Sequence, residues 1–266
     1  MVAPQPNEAH PLDLDAPDAA ADTGSAPVLL RVEGLSKVYG HRKVVNGVDF
    51  DVRAGEIVGL LGPNGAGKTT TFKMTVGMVT PNGGSVFLAG KDVTHLPIYK
   101  RARAGMGYLA QESSIFLKLT VEQNLLAILE TLPIGKRERE RRAKQLLQEY
   151  GLAHLAKQKA DTLSGGEERR TEICRALVTG PKVMMLDEPF SGVDPIAVND
   201  LQEIIKKLRS QGIGILLTDH NVRETLSVTD RSYIIDEGKI LCHGTPREIV
   251  SNPLARSRYL GERFTL

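Results

Sequence analysis

Cysteine is scarce in this chain of 266 residues, with Cys174 and Cys242 the only two. Two thiols make no disulfide framework and their spacing matches no metal motif, so the sequence predicts a reducing, cytosolic setting in which neither is functional. Long apolar runs are missing too. No stretch approaches the roughly 18 uninterrupted apolar residues of a spanning helix, and the N-terminus has neither the basic nor the apolar region of a secretion signal. Any membrane contact is therefore expected to come through partners. Residues 1–27 contain no Lys or Arg but five acids, Glu8, Asp13, Asp15, Asp18 and Asp22. Rich in Pro, Ala and Asp, this acidic tail is expected to be disordered. The remainder carries 34 basic against 27 acidic residues. That mildly basic balance suits an anionic membrane face or nucleic acid, yet it is equally ordinary for a globular domain.

From Val28 the pattern becomes that of a folded domain. "VLLRVEGL" and "KVVNGVDFDV" read as strands of an antiparallel, partly exposed sheet, whereas "EIVGLL" is a short, almost continuous apolar run of the kind found in buried parallel strands. Further strands are expected at "SVFLAG", "GMGYLAQ", "KVMMLDE", "GIGILLTDH", "SYIIDEG" and "ILCHG", alternating with helices over 97–104, 120–160 and 195–210. Strand and helix in alternation imply an α/β fold with a mainly parallel sheet covered on both faces. The mostly helical span from about 90 to 180 would form a lobe of its own. Within it "KRERERRAK" places Glu138 with Arg142 and Glu140 with Lys144 at i, i+4, a solvated helix face rather than a nucleic-acid stripe.

Two glycine-rich segments carry the chemistry. "GPNGAGKTT", Gly62 to Thr70, fits G-x-x-x-x-G-K-[ST] between a predicted strand and a predicted helix, the context this phosphate-binding loop requires. Gly62, Gly65 and Gly67 would turn the N–H groups of Asn64, Ala66 and the residues on to Thr70 toward phosphate oxygens, with Pro63 lining the loop, Lys68 would neutralise the β- and γ-phosphates, and Thr69 would bind magnesium. Asp187 and Glu188 end an apolar strand; the first suits magnesium and the second a base for the attacking water. Alone, such a pair would read as a turn or a helix cap, but the phosphate loop reverses those odds. Asp194 before Pro195 is a good helix cap, which accounts for it structurally. His220 at the end of "ILLTDH" and Gln111 at the end of "GYLAQ" are placed to reach the γ-phosphate and the metal, though each is also an ordinary polar residue at a strand end. Tyr39 is either a hairpin aromatic or a base-stacking platform, and stacking does not separate ATP from GTP.

The second segment is "LSGGEERR", Leu163 to Arg170. Ser164 and Glu167 form a capping box, which explains neither Gly165 nor Gly166. A helix entrance with bare amides is an anion site, and the phosphate loop already serves this chain's own nucleotide. The economical arrangement is head-to-tail, with Ser164, Gly165 and Gly166 of one copy closing over the phosphate held by Lys68 of another.

In this order, "GPNGAGKTT", Gln111, "LSGGE", "VMMLDEP", "SGVD" and His220 resemble the motif set of ABC-transporter nucleotide-binding subunits. That resemblance implies a P-loop core with an added antiparallel β subdomain and a helical subdomain over about 90–180, all within 28–266. It also implies a homodimer with two sandwiched ATP molecules, Mg2+ as cofactor, Tyr39 on the adenine, Asp194 near the shared site, Glu188 as catalytic base and His220 at the transition state. "QESSIF", "THLPIYKRARAGMGYLAQ", "TDHNVRETL" and "YLGERF" are similar, more narrowly, to the lipopolysaccharide-export ATP-binding subunits of diderm bacteria. These imply two membrane permease subunits docked in a groove at Phe116 and Leu117, no nucleic acid, and a place on the cytoplasmic face of the inner membrane. Branched-chain amino-acid importers have similar subunits and are the competing expectation. Soluble ABC proteins acting on ribosomes or DNA fit less well, since they carry two cassettes or a long coiled-coil insertion. A dead binding module conflicts with the intact Lys68, Glu188 and His220.

Overall fold

A computed structural model describes residues 26–266; most of the acidic tail, residues 1–25, lies outside the described residues. Strands β1 (Val28–Tyr39) and β2 (Arg42–Arg53) form a hairpin. In β1 the side chains of Leu30 and Val32 are buried between exposed neighbours, the period of a sheet with one dry face. The next strand, β3 (Ile57–Leu61), has every residue buried and leads through the phosphate loop into helix α1 (Lys68–Val76). β4 (Gly83–Leu88) and β5 (Lys91–Asp92) complete an antiparallel sheet of order β2-β1-β4-β5.

Helix α2 (Ile98–Arg103) and strand β6 (Met106–Leu109) follow, then α3 (Val121–Leu129), α4 (Lys136–Glu149) and α5 (Gly165–Leu177). Of the span 90–180, residues 91–109 thus contribute β5, α2 and β6, and the long helices begin only at Val121. β7 (Val183–Asp187), α6 (Pro195–Ser210), β8 (Gly214–Thr218), α7 (Val222–Val228), β9 (Arg231–Asp236), β10 (Lys239–Gly244) and α8 (Pro246–Ser251) come next, and α9 (Pro253–Ala255) with the helical turn Arg256–Leu260 ends the fold. The second sheet runs β10-β9-β3-β8-β7-β6, parallel except where β10 meets β9.

This sheet divides the core in two. Ile57, Met184, Leu186, Ile215 and Leu217 face a cluster built with α3 to α6, while Val58, Leu60, Val183, Met185 and Leu216 face the antiparallel sheet and α1. Alternate residues of one apolar run serve opposite clusters, so β7 and β8 carry a polar side chain only at their last residues, Asp187 and Thr218. Each such side chain contributes about 1.5–3 kcal/mol on burial.

Two charged arrangements differ from expectation or extend it. Glu138 accepts from both Arg141 and Arg142 at 2.7 Å, but Glu140 pairs with Lys136 at 3.9 Å rather than with Lys144, choosing the earlier of two equivalent turns. Arg101 is fully buried, and among the described residues no carboxylate bonds to it. It donates instead to the carbonyls of Met74 (3.0 Å), Thr75 (2.6 Å), Thr94 (2.7 Å) and Leu96 (2.8 Å), tying the C-terminal end of α1 to α2. A cation there complements the helix dipole, and burial pulls its pKa down to about 10.

The thiols make a first prediction. Cys174 is fully buried and burial pushes its thiol up to about 12, whereas Cys242 is half-buried in β10. Iodoacetamide at pH 8 should alkylate Cys242 in the native chain and reach Cys174 only in denaturant, read by peptide mass spectrometry. Equal native labelling of both would contradict the packing of α5 against the sheet.

Candidate nucleotide site

The loop between β3 and α1 is shaped by what its glycines exclude. A Cβ on Gly62 would stand 2.0 Å from the Ile235 carbonyl oxygen, and one on Gly67 would stand 2.6 Å from that of Val44. Gly67 is also the N-cap of α1 at φ 105°, with no side-chain cap and no acid in the first turn. The helix therefore opens on bare amides and the positive end of its dipole, an anion site. Lys68 sits at the first helical position and donates to the carbonyls of Gly62 (2.5 Å) and Pro63 (3.0 Å), with burial lowering its pKa. Ala66 is buried and its carbonyl accepts from Gly238, while Asn64, Gly65 and Thr69 are exposed.

Tyr39 stands at the end of β1 with its ring half exposed and Lys37 Nζ 5.2 Å from the ring centroid. Arg42 and Lys43, which sequence reasoning passed over, line a cleft of about 350 Å³ together with Pro63 to Ala66 and Asp236 to Gly238. Only their place at a hairpin turn next to Tyr39 could have flagged them.

The C-terminal ends of three parallel strands converge beside this loop, the usual location of a ligand in an open α/β sheet. β7 delivers Asp187, buried, whose pKa is raised chiefly by burial and further by Glu188, against Tyr108 and Lys73, which favour the charged form. Glu188 follows at φ +46°, a left-handed conformation uncommon for a residue with a side chain. Its N–H donates to the Thr218 carbonyl at 2.7 Å, so β8 holds the turn. Gln111, just past β6, donates through Nε2 to Glu188 Oε2 at 2.8 Å. His220, just past β8, brings Nδ1 to 3.3 Å from the same oxygen and 3.6 Å from Asp219. Asp219 is fully buried and accepts from the N–H groups of Phe190 and Asn221, both at 2.8 Å. It anchors the loop that carries the histidine. Gln111, Glu188 and His220 thus meet as one cluster.

Ser164 to Gly166 stand elsewhere. Ser164 caps α5 in a capping box with Glu167, and Asp194 caps α6 by accepting from Ala197 at 3.0 Å. Gly165, Gly166, Asp194 and Gln111 line a cleft of about 230 Å³ whose walls include no residue of the phosphate loop. A Cβ on Gly165 would meet nothing within 4 Å, and one on Gly166 would only press on Ala197 at 3.3 Å. Nothing among the described residues requires the first of these glycines.

On the other side of α5, Phe116 borders an apolar cavity of about 310 Å³ with Val76, Ile98, Ala102, Tyr108 and Ile128. The Arg175 guanidinium lies 5.1 Å from the centre of its ring. Leu117, expected beside it in the groove, is half exposed and is not part of the cavity wall; its carbonyl accepts from Asp161 instead.

Comparison with known proteins gives the family. The ABC transporter family matches residues 45–191, and the chain belongs to it as an ATP-binding, ATP-hydrolysing subunit. The chain is 52% identical over 238 residues, 90% of its length and 99% of the relative's, to the lipopolysaccharide export system ATP-binding protein LptB of Acidithiobacillus ferridurans. It is 54% identical over 247 residues, 93% of its length and 92% of the relative's, to an uncharacterized ABC transporter ATP-binding protein of Rhizobium meliloti. Among solved structures, the ADP conformation of MJ1267, an ATP-binding cassette of an ABC transporter, superposes with a TM-score of 0.80 at 29% identity, covering 89% of this chain and all of the other.

Proposed function

We propose that the chain is the ATPase of a lipopolysaccharide exporter, working as a homodimer on the cytoplasmic face of the inner membrane beneath two permease subunits. The observation that carries the catalytic part is the convergence of Gln111 and His220 on one oxygen of Glu188, next to an uncapped helix start bearing Lys68. The cargo rests on the LptB relatives.

On ATP binding, Lys68 exchanges its two loop carbonyls for β- and γ-phosphate oxygens, and the bare amides at the start of α1 take the remaining negative charge. Tyr39 stacks on the base. Ser164 and Gly165 of the second copy close over the γ-phosphate, with Asp194 at the seam. Glu188 Oε2 accepts a proton from water as the water oxygen bonds to the γ-phosphorus and the bridging P–O bond to ADP breaks. Gln111 and His220 hold that carboxylate and the water in line.

Magnesium fits the residues present. Asp187 is a buried anion beside a second carboxylate, a pairing that calls for a cation, and Thr69 and Gln111 add hard oxygen donors. Among the described residues no group of three His, Cys, Asp or Glu forms a metal cage, so Asp187, Thr69 and Gln111 are the residues that would hold the ion. When bound, it would neutralise charge on the phosphates. Among the described residues no helix is long and apolar enough to cross a membrane. The Phe116 cavity is where an apolar helix of a permease would dock.

Tagged chain drawn from native membranes should bring down two membrane subunits and lipopolysaccharide. Phe116→Ala removes the exposed aromatic anchor, and recovery of those subunits should fall about tenfold or more at unchanged ATP affinity. Undiminished recovery would place the docking surface elsewhere, and a different lipid or an amino acid in the complex would replace the cargo.

A further inference from the structure

Gln111 reaches Glu188 from a segment with no regular structure. Residues 111–114 between β6 and α3 are exposed, and Ile115 alone is buried. Apolar burial therefore does not fix the glutamine. A charged stripe on α5 does. Glu168, Glu172 and Arg175 recur at i, i+4 and i+7, with Arg169 alongside, and all of them reach the segment or one another.

Glu172 is almost fully buried and accepts the Ser114 N–H at 2.7 Å and the Ser114 hydroxyl at 3.3 Å. It also pairs with Arg169 at 3.0 Å, and Arg169 in turn donates to the Ala110 carbonyl at 2.7 Å. One ion pair thus holds the backbone on both sides of Gln111. Ser113 bonds to Glu168, and Arg175 donates to the Ser114 carbonyl at 2.7 Å.

A buried ion pair adds little net stability over a well-packed apolar pair, so stability alone is a weak reason to keep one here. Placement gives a better one. Glu172 lines both the cleft at Gly165 and the cavity at Phe116, and is the partition between them. We infer that the Arg169–Glu172 pair is a positioning device for hydrolysis, setting Gln111 against Glu188 and joining the Phe116 cavity to the nucleotide site through one turn of α5. This rests on the roles given above to Gln111 and Glu188.

The test is a double-mutant cycle in the full chain, read as kcat and KM for ATP. Glu172→Ala and Arg169→Gln should each lower kcat roughly tenfold to a hundredfold at unchanged KM, the scale of a misplaced catalytic group. Glu172→Gln, which keeps an acceptor for Ser114, should recover most of the loss. In a Gln111→Ala background the same changes should cost less than twofold more, because the group they position is gone. Parental kcat in the single variants, a rise in KM alone, or losses that multiply with Gln111→Ala would each overturn the inference. If Glu172→Ala does not fold, Arg169→Gln probes the other end of the clamp and decides alone. A Glu188→Gln control separates the failures: turnover there at the parental rate removes the underlying reading, whereas a silent control beside multiplicative losses removes only the clamp.

Discussion

Glu188→Gln is expected to lower ATP turnover by about a hundredfold to ten-thousandfold, the range supplied by a positioned general base. The substitution changes chemistry and little else. A glutamine carbonyl still accepts from Gln111 Nε2, now 2.8 Å from the carboxylate, and the backbone at φ +46° is held by the Thr218 carbonyl and not by the side chain. Binding should survive as well, because the amides of α1 and Lys68 are untouched. It should even tighten, since a carboxylate facing the γ-phosphate opposes it. With ATP and magnesium the variant should accumulate as a dimer on size-exclusion chromatography, while the parent cycles back to monomer after hydrolysis. A variant that turns over at the parental rate would remove Glu188 from the role of base, and the cluster around it would need another purpose.

How far the sequence carries this reading depends on the kind of residue. The fully buried strands β3, β7 and β8 are legible because burial on both faces leaves an unbroken apolar run, and they set the sheet whose strand ends gather Gln111, Glu188 and His220. Those three residues were visible as motif positions, but not as neighbours. Gln111 and Glu188 are 77 residues apart, and only the order of strands β6, β7 and β8 brings them together. Arg101, Arg169 and Glu172 were not legible at all. In "YKRARAG" and "EERRTEI" they are charges among other charges, and nothing local marks them as buried, because a charged residue's burial is decided by what packs over it from elsewhere. For Arg101 that is the end of α1, and for Glu172 it is the segment after β6. The Glu140 pairing is illegible for a simpler reason: Lys136 and Lys144 are equally spaced from it, and the pattern offers no means of choosing.

Gly165→Asp should abolish hydrolysis in a chain that folds and binds nucleotide normally. Space around a Cβ at position 165 is open, and an acid in the first turn of α5 favours the helix dipole, so the subunit loses no stability. What it acquires is a negative charge at the surface proposed to face the γ-phosphate of another copy. Turnover should drop at least a hundredfold while nucleotide affinity at the phosphate loop stays within twofold, a split that a local folding defect would not produce. Lys68→Ala has the complementary defect, since its own phosphate loop fails and its Ser164 to Gly166 segment is sound. In a head-to-tail dimer, a mixed pair of these two variants contains one complete site, built from the loop of the Gly165→Asp chain and the α5 start of the other. Equal mixing makes about half the dimers mixed, each with one of two sites working, so roughly a quarter of the parental rate should return. If the mixture is no faster than the sum of its two inactive components, the sites are not shared between copies. If Gly165→Asp alone keeps the parental rate, no phosphate approaches that glycine, and the open space beside it has no bearing on ATP.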